Sequence, residues 1–243
     1  MRRGMVMIEL KHITKRYKKF LALIDFSYNF ENGNVYGILG VNGAGKSTLI
    51  NCITQNVSFE GELNYADLSI WDIGYVPQEL AIYPELSVMD NMLFFASIYK
   101  MDKREARERS ILLIEKVGLK EKIYTKARDL SGGMKRKLNL ITGLVHNPKL
   151  LICDEVCVGI DPISRKEILA YLKELKNSGL NIIYTSHYLD EVEYLCDKIM
   201  FLDKGKLILE GETEKLIKEI SDTENKQADL SDVFVKVLRK GGE

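Results

Sequence analysis

GVNGAGKST, residues 40–48, decides how the rest of this chain is read. It fits G-x-x-x-x-G-K-[ST] at every position. NVYGILG (34–40) is a short, mostly apolar run that predicts a strand ending in glycine, and GKSTLINCITQ (45–55) predicts a helix directly after it. A glycine-rich turn between strand and helix lets successive backbone amides face one anion at the positive end of the helix. Gly43 and Gly45 give the backbone its bend, with Asn42 and Ala44 between and beside them. Lys46 supplies a point charge toward the β- and γ-phosphates of a nucleotide. Ser47 offers a hydroxyl to Mg²⁺, and Thr48 a second hydroxyl near the α/β-phosphates.

Outward from this loop, the pattern predicts a sheet with helices on both faces. Met5–Leu10 and Ile24–Phe30 read as strands; in the second, Ile24, Phe26, Tyr28 and Phe30 alternate with polar residues, as in a half-buried antiparallel strand. Glu62–Tyr65 and Asp72–Val76 are two further short strands. After Pro84 the texture becomes helical, with helices at Ser87–Lys100 and Lys103–Val117 and Ser87 as an N-cap. Ala81–Asp129 therefore reads as a helical insertion. Alternation then resumes with a helix from Gly132, a strand at Leu150–Asp154, a helix at Ile163–Asn177, a strand at Asn181–Thr185 and a helix at Leu189–Cys196. A hairpin of Lys198–Asp203 and Lys206–Glu210 follows, turning around Gly205. TENKQADL (223–230) reads as a loose polar linker before a short helix at Val233–Arg239. Strands alternating with helices imply an α/β fold with a mainly parallel sheet, joined by an N-terminal antiparallel β part.

Composition narrows the class. The chain has 243 residues, 46% of them apolar, enough for a buried core in one large domain or a core with an insertion. Thirty-five basic residues balance 35 acidic ones, which argues against a free-standing nucleic-acid binder. Cys52, Cys153, Cys157 and Cys196 form no C-x-x-C pair, so zinc is not expected and reduced, mostly buried thiols are. The basic N-terminus is not a signal peptide, because Glu9 and Lys11 interrupt its apolar run. No stretch approaches the roughly 18 apolar residues of a membrane-spanning helix.

Two further sites carry chemistry. LLICDEV (150–156) is a continuous apolar run ending in two carboxylates, as expected of a strand buried on both faces. Ligands in open α/β sheets bind at that end of a strand. Asp154 is expected to reach Mg²⁺ through a water, and Glu155 to polarise a water for attack on the γ-phosphate. LSGGMKRKLNLI (130–141) is a second serine–glycine helix start, far in sequence from the first.

With these residues in place the chain resembles an ATP-binding-cassette (ABC) ATPase over nearly its whole length. Gly40–Thr48 is similar to Walker A, Leu150–Asp154 with Glu155 to Walker B and its catalytic glutamate, and LSGGM to the family's LSGGQ signature. Gln78 in GYVPQE resembles the Q-loop glutamine, a ligand toward Mg²⁺; Asp161 in VGIDP the D-loop aspartate; His187 in YTSHYLDE the switch histidine; and Tyr17 in ITKRYKK the aromatic that stacks on adenine. The resemblance implies one ABC domain over 1–243: a P-loop NTPase core at 1–80 and 136–220 including the antiparallel part, a helical signature subdomain at 81–135, and a tail at 221–243. It also implies two copies packed head to tail. Ser131, Gly132 and Gly133 of one then complete the ATP site around Lys46 of the other, which explains the second helix start.

Two departures stand out. Met134 replaces the signature glutamine, and Val156-Cys157 replaces the usual proline–threonine after the glutamate. A single cassette, a short helical insertion and an electroneutral chain favour the ATPase subunit of a membrane transporter. The alternative is a soluble ABC ATPase working on nucleic acid or ribosomes. The favoured reading implies a peripheral protein at the cytoplasmic face of the cell membrane, held by an integral permease. GVNGAGKSTLI, SHYLDEVEYLCDKI and LSDVFVKVLRK resemble the exporter branch that handles drugs, peptides or polysaccharides. Ile82, Tyr83, Met92, Phe94 and Phe95 either receive a coupling helix of the permease, which Gln78 would link to the γ-phosphate, or fill the subdomain core; the sequence leaves both open.

Overall fold

A computed structural model describes residues 4–225 and 227–240. In chain order its elements are β1 (Val6–Tyr17), β2 (Phe20–Glu31), β3 (Val35–Leu39), α1 (Lys46–Ile53), β4 (Glu60–Asn64), β5 (Ile73–Val76), α2 (Val88–Ile98), α3 (Lys103–Lys116), α4 (Gly132–Thr142), β6 (Leu150–Asp154), α5 (Pro162–Asn177), β7 (Asn181–Thr185), α6 (Leu189–Leu195), β8 (Lys198–Asp203), β9 (Lys206–Glu212), α7 (Thr213–Glu224) and α8 (Leu230–Lys240). They divide into two compact units: Met1–Leu68 with Asn181–Glu243, and Ser69–Leu180.

The first unit holds two sheets. β1 pairs antiparallel with β2 on one side and β4 on the other. β3 runs parallel to β7 and β8, and β9 returns antiparallel to β8. β3 and β7 are buried along all five residues, as strands covered on both faces must be. In β2, Phe26 and Phe30 are buried while Asp25, Ser27 and Asn29 are exposed, as the alternation predicts. Tyr28, Phe30 and Tyr36 pack edge to face, with centroids 4.9 to 6.0 Å apart.

β1 and β2 extend well beyond their expected bounds. Their register shifts between Leu10 and Ile13, where His12 of β1 sits at φ 54°, and again between Ile13 and Lys15, where Asp25 of β2 sits at φ 51°. Such bulges break the two-residue period, so the polar run from Lys11 to Tyr17 carries no strand pattern although it is paired.

In the second unit β5 runs parallel to β6, and α2, α3, α4 and α5 surround one apolar interior. Val88, Met89, Met92 and Ala96 of α2, Leu113 and Ile114 of α3, and Leu138, Leu140 and Ile141 of α4 are buried. Ser87 caps α2, its hydroxyl accepting from the Asp90 amide at 3.0 Å, and Asp102 caps α3. All four cysteines are buried, and burial pushes the Cys52 thiol up to about 11.

The C-terminal part corrects the linker reading. Thr213–Glu224 is helical, Asn225 ends it in the left-handed region, and α8 already starts at Leu230, which is fully buried. Thr223 and Glu224 thus end a helix and Leu230 begins one; Lys226 lies outside the described residues. Leu216, Ile217 and Ile220 carry α7's helical spacing, but polar residues around them mask it in sequence.

Candidate active site

In the first unit, β3 ends at the glycine-rich loop and α1 begins at its far side. Gly45 is the N-cap of α1, at φ 110°. A Cβ there would stand 2.6 Å from the Ala22 carbonyl oxygen of β2, so both conformation and space demand glycine. Gly45 brings no side-chain cap, and the first turn of α1 carries no acid. A helix start without those internal acceptors keeps its amide dipoles available to an external anion. Lys46 is buried, and its Nζ donates to the carbonyls of Gly40 at 2.8 Å and Val41 at 3.3 Å, which fixes the charge against the loop. Asn42, Gly43 and Ser47 are exposed, Thr48 is half-buried and Ala44 is buried.

The loop is braced from the turn between β8 and β9. The Gly205 amide donates to the Ala44 carbonyl at 3.0 Å, and the Ile24 amide of β2 donates to the Gly205 carbonyl at 2.9 Å. Sequence reading assigned Gly205 only a hairpin; its grip on the loop is tertiary and leaves no local signal.

β7 leads into the segment that carries His187, which is exposed. The buried Glu191 of α6 accepts from the hydroxyls of Tyr184 at 2.7 Å and Ser186 at 2.5 Å, and Ser186 Oγ accepts from the Tyr188 amide at 3.0 Å. A buried carboxylate thus fixes the loop on both sides of His187, a role that sequence reading missed. Tyr17 ends β1 with its ring exposed, and the Lys15 ammonium stands 4.9 Å from the ring centroid.

In the second unit, β6 delivers Asp154 and Glu155, both buried. Glu155 has φ 50°, uncommon for a residue with a side chain, and its carbonyl accepts from the Val158 amide at 3.2 Å. Beside β6, burial, and then the charge of Asp154, push Tyr75 up to about 12.

α4 opens at Ser131, whose hydroxyl accepts from the Met134 amide at 3.2 Å. The next two glycines differ. A Cβ on Gly132 would meet nothing within 4 Å, whereas one on Gly133 would lie 2.0 Å from Ser164 Oγ and 3.1 Å from an Asp161 carboxylate oxygen. Gly133 therefore lets the starts of α4 and α5 converge. Asp161 caps α5, accepting from the amides of Ile163 at 3.1 Å and Ser164 at 2.9 Å, and the Ser164 bonds hold its carboxyl below the usual range.

Gln78 is exposed, but its backbone is held by α4. Arg136 Nη1 donates to the Gln78 carbonyl at 2.6 Å, Asn139 Nδ2 to the Pro77 carbonyl at 3.3 Å, and Asn139 Oδ1 accepts from the Ala81 amide at 2.9 Å. Arg136 and Asn139 share one face of α4, three residues apart. Sequence reading missed both, because their partners are backbone groups.

A family model described as ABC transporter matches residues 23–158, more than half of the chain. The chain belongs to the ABC transporter family. It is similar to the linearmycin resistance ATP-binding protein LnrL of Bacillus subtilis, 41% identical over 214 residues that cover 84% of this chain and 69% of the relative. The methionine import ATP-binding protein MetN of Clostridioides difficile is 31% identical, covering 86% of this chain and 70% of its own. The Nod factor export ATP-binding protein I of Rhizobium etli is 34% identical, covering 89% and 71%. Among solved structures, a dimeric ATP-binding cassette in a post-hydrolysis state with ADP and Pi superposes with a TM-score of 0.76 at 26% identity, covering 85% of this chain and 98% of its own. This chain is thus an ATP-binding ABC ATPase subunit, with the α/β cassette fold that its loop at 40–48 predicts.

In this ABC ATPase, Tyr83, Phe94 and Phe95 form an aromatic cluster, with Tyr83 and Phe94 at 4.5 Å and Phe94 and Phe95 at 5.5 Å between centroids. Tyr83 and Phe94 are exposed and Ile82 and Phe95 half-buried, but Met92 is fully buried and belongs to the subdomain core. Among the described residues no helix is long and apolar enough to cross a membrane.

Proposed function

We propose that this subunit hydrolyses ATP to drive export through a separate integral permease, working as a head-to-tail pair with two ATP between the copies. The observation that carries the reading is the uncapped start of α1 beside the buried Lys46: a helix built to meet an external anion. In this reading the amides of 42–48 and Lys46 hold the phosphates, and Tyr17 stacks on adenine. Ser131, Gly132 and Gly133 of the partner copy meet the γ-phosphate, with Asp161 at the same face. Gly132, the open one, makes the close approach; Gly133 keeps α4 in place through its contact with α5.

Ser47, Gln78 and Asp154 suit a hard divalent cation, since each offers oxygen. Held by these residues, Mg²⁺ would supply positive charge against the phosphates. Glu155 takes the proton of the attacking water, and His187 stabilises the charge that develops on the phosphoryl oxygens. We read the chain as one ABC domain, with 81–135 as its helical part, sitting at the cytoplasmic face of the membrane through the permease. The exposed Tyr83, close in sequence to Gln78, and Phe94 then receive a permease helix.

Export is supported by the named role of the Nod factor export protein and by the linearmycin-resistance role that LnrL is named for, set against the importer MetN. The test is turnover by the purified chain. Lys46→Ala should lose ATP binding and hydrolysis together; hydrolysis at the wild-type rate in that variant would remove the assignment of the loop.

A further inference from the structure

Arg136 is a buried charged residue on α4, directly beyond the signature glycines. One Nη donates to the Gln78 carbonyl at 2.6 Å, and the other to the Val158 carbonyl at 3.2 Å. Its Nε is buried with no hydrogen-bond acceptor among the described residues. Burial holds the guanidinium below its usual pKa, and the Cys157 sulfur lies in its field. A guanidinium placed only for stability would use its whole donor fork on a carboxylate. Here the fork is split between two separate loops, and a buried donor is left over. That is an expensive way to stabilise a helix and a direct way to hold two loops at a fixed separation.

The two loops are those that matter most to the chemistry. Gln78 lies on one of them. Val158 closes the turn in which Glu155 sits at φ 50°, through its own amide bond to the Glu155 carbonyl. Asn139, one turn along α4, holds Pro77 and Ala81 on either side of Gln78, so the Gln78 segment has a grip that does not depend on Arg136. The Val158 carbonyl has Arg136 as its partner from α4.

We propose that Arg136 is a positioning residue for hydrolysis: by spanning the Gln78 and Val158 carbonyls it fixes the turn that aims Glu155, and it ties that turn to the helix that begins at Ser131–Gly133. The proposal rests on the reading of Glu155 as the group that activates water. It makes the stretch from 131 to 136 one mechanical unit, so a displacement at the helix start reaches both the Gln78 loop and the Glu155 turn of the same copy.

The test uses the purified full-length chain with ATP and Mg²⁺. Steady-state kcat and KM are measured alongside equilibrium binding of ATP. Arg136→Ala should lower kcat about 10- to 100-fold with ATP affinity unchanged, because a misplaced base costs rate and leaves ground-state binding alone. Guanidinium chloride at tens of millimolar should restore part of the lost rate in Arg136→Ala and none in Glu155→Gln. Arg136→Lys keeps the charge and the stem but reaches one carbonyl, so it serves if the alanine variant does not fold, and its kcat should also fall about tenfold. Wild-type kcat in Arg136→Lys overturns the proposal. So does a loss of ATP affinity in step with kcat in Arg136→Ala that guanidinium leaves unchanged, since that marks a merely structural residue. Wild-type turnover in Glu155→Gln removes the reading of Glu155 itself, and with it this proposal, whatever the Arg136 variants do.

Discussion

At the scale of single residues, the side chains proposed to carry the chemistry stand out in the sequence and their supports do not. Lys46, Asp154 and Glu155 are singled out by residue type and spacing, because the proposed chemistry demands those groups next to a strand end. The left-handed backbone at Glu155, the split fork of Arg136 and the buried Glu191 beneath the His187 loop depend on contacts distant in sequence. His146 is another case. Its ring stacks on Tyr99 at 3.5 Å and 3°, with both ring nitrogens buried. Burial pushes it down from 6.5 to about 4. The unfolded chain therefore binds a proton between those values that the folded chain does not, so stability is present above pH 6.5 and falls as the pH drops toward 4. The loss is at most about 3 kcal/mol, less for a half-buried ring. Urea midpoints of wild type and His146→Phe at pH 7 and 4.5 should show the variant with the flatter dependence. Gly133→Ala should cost about 1–3 kcal/mol through its clash with Ser164, while Gly132→Ala should change the urea midpoint little.

At the scale of elements, strands buried on both faces were read to within a residue, as Leu150–Asp154 and Asn181–Thr185 show. Their continuous apolar runs leave no competing period. β1 and β2 were read short because bulges at His12 and at Asp25 break their alternation, and α7 was missed because three apolar residues among acids and lysines give a weak face. Caps fared better: Ser87 accepts the amide three residues on, as its sequence position predicts, and Ser131 does the same at the start of α4. Ser87→Ala should therefore lose about 1 kcal/mol in thermal or urea unfolding. The C-terminal helix is part of the folded unit. Leu230→Ala, at a fully buried position, should cost about 2–5 kcal/mol by the same measurement, and an unchanged midpoint would show that α8 does not dock as described.

At the scale of the whole molecule, the two helix starts give the chain its logic. The start of α1 lacks an internal cap, and the start of α4 leaves Gly132 open. In the proposed head-to-tail pair, a nucleotide gripped by one start in each of two copies would make ATP a reversible clamp, and hydrolysis would remove the phosphate that both starts share. Sedimentation of the full-length Glu155→Gln variant tests this most directly. With ATP and Mg²⁺ the sedimenting mass should double from the 27.8 kDa of one chain, and adding Ser131→Arg should return it to one chain while nucleotide stays bound. A variant that binds ATP yet sediments as a single chain, alongside a wild type that turns over ATP in that same state, would contradict the account.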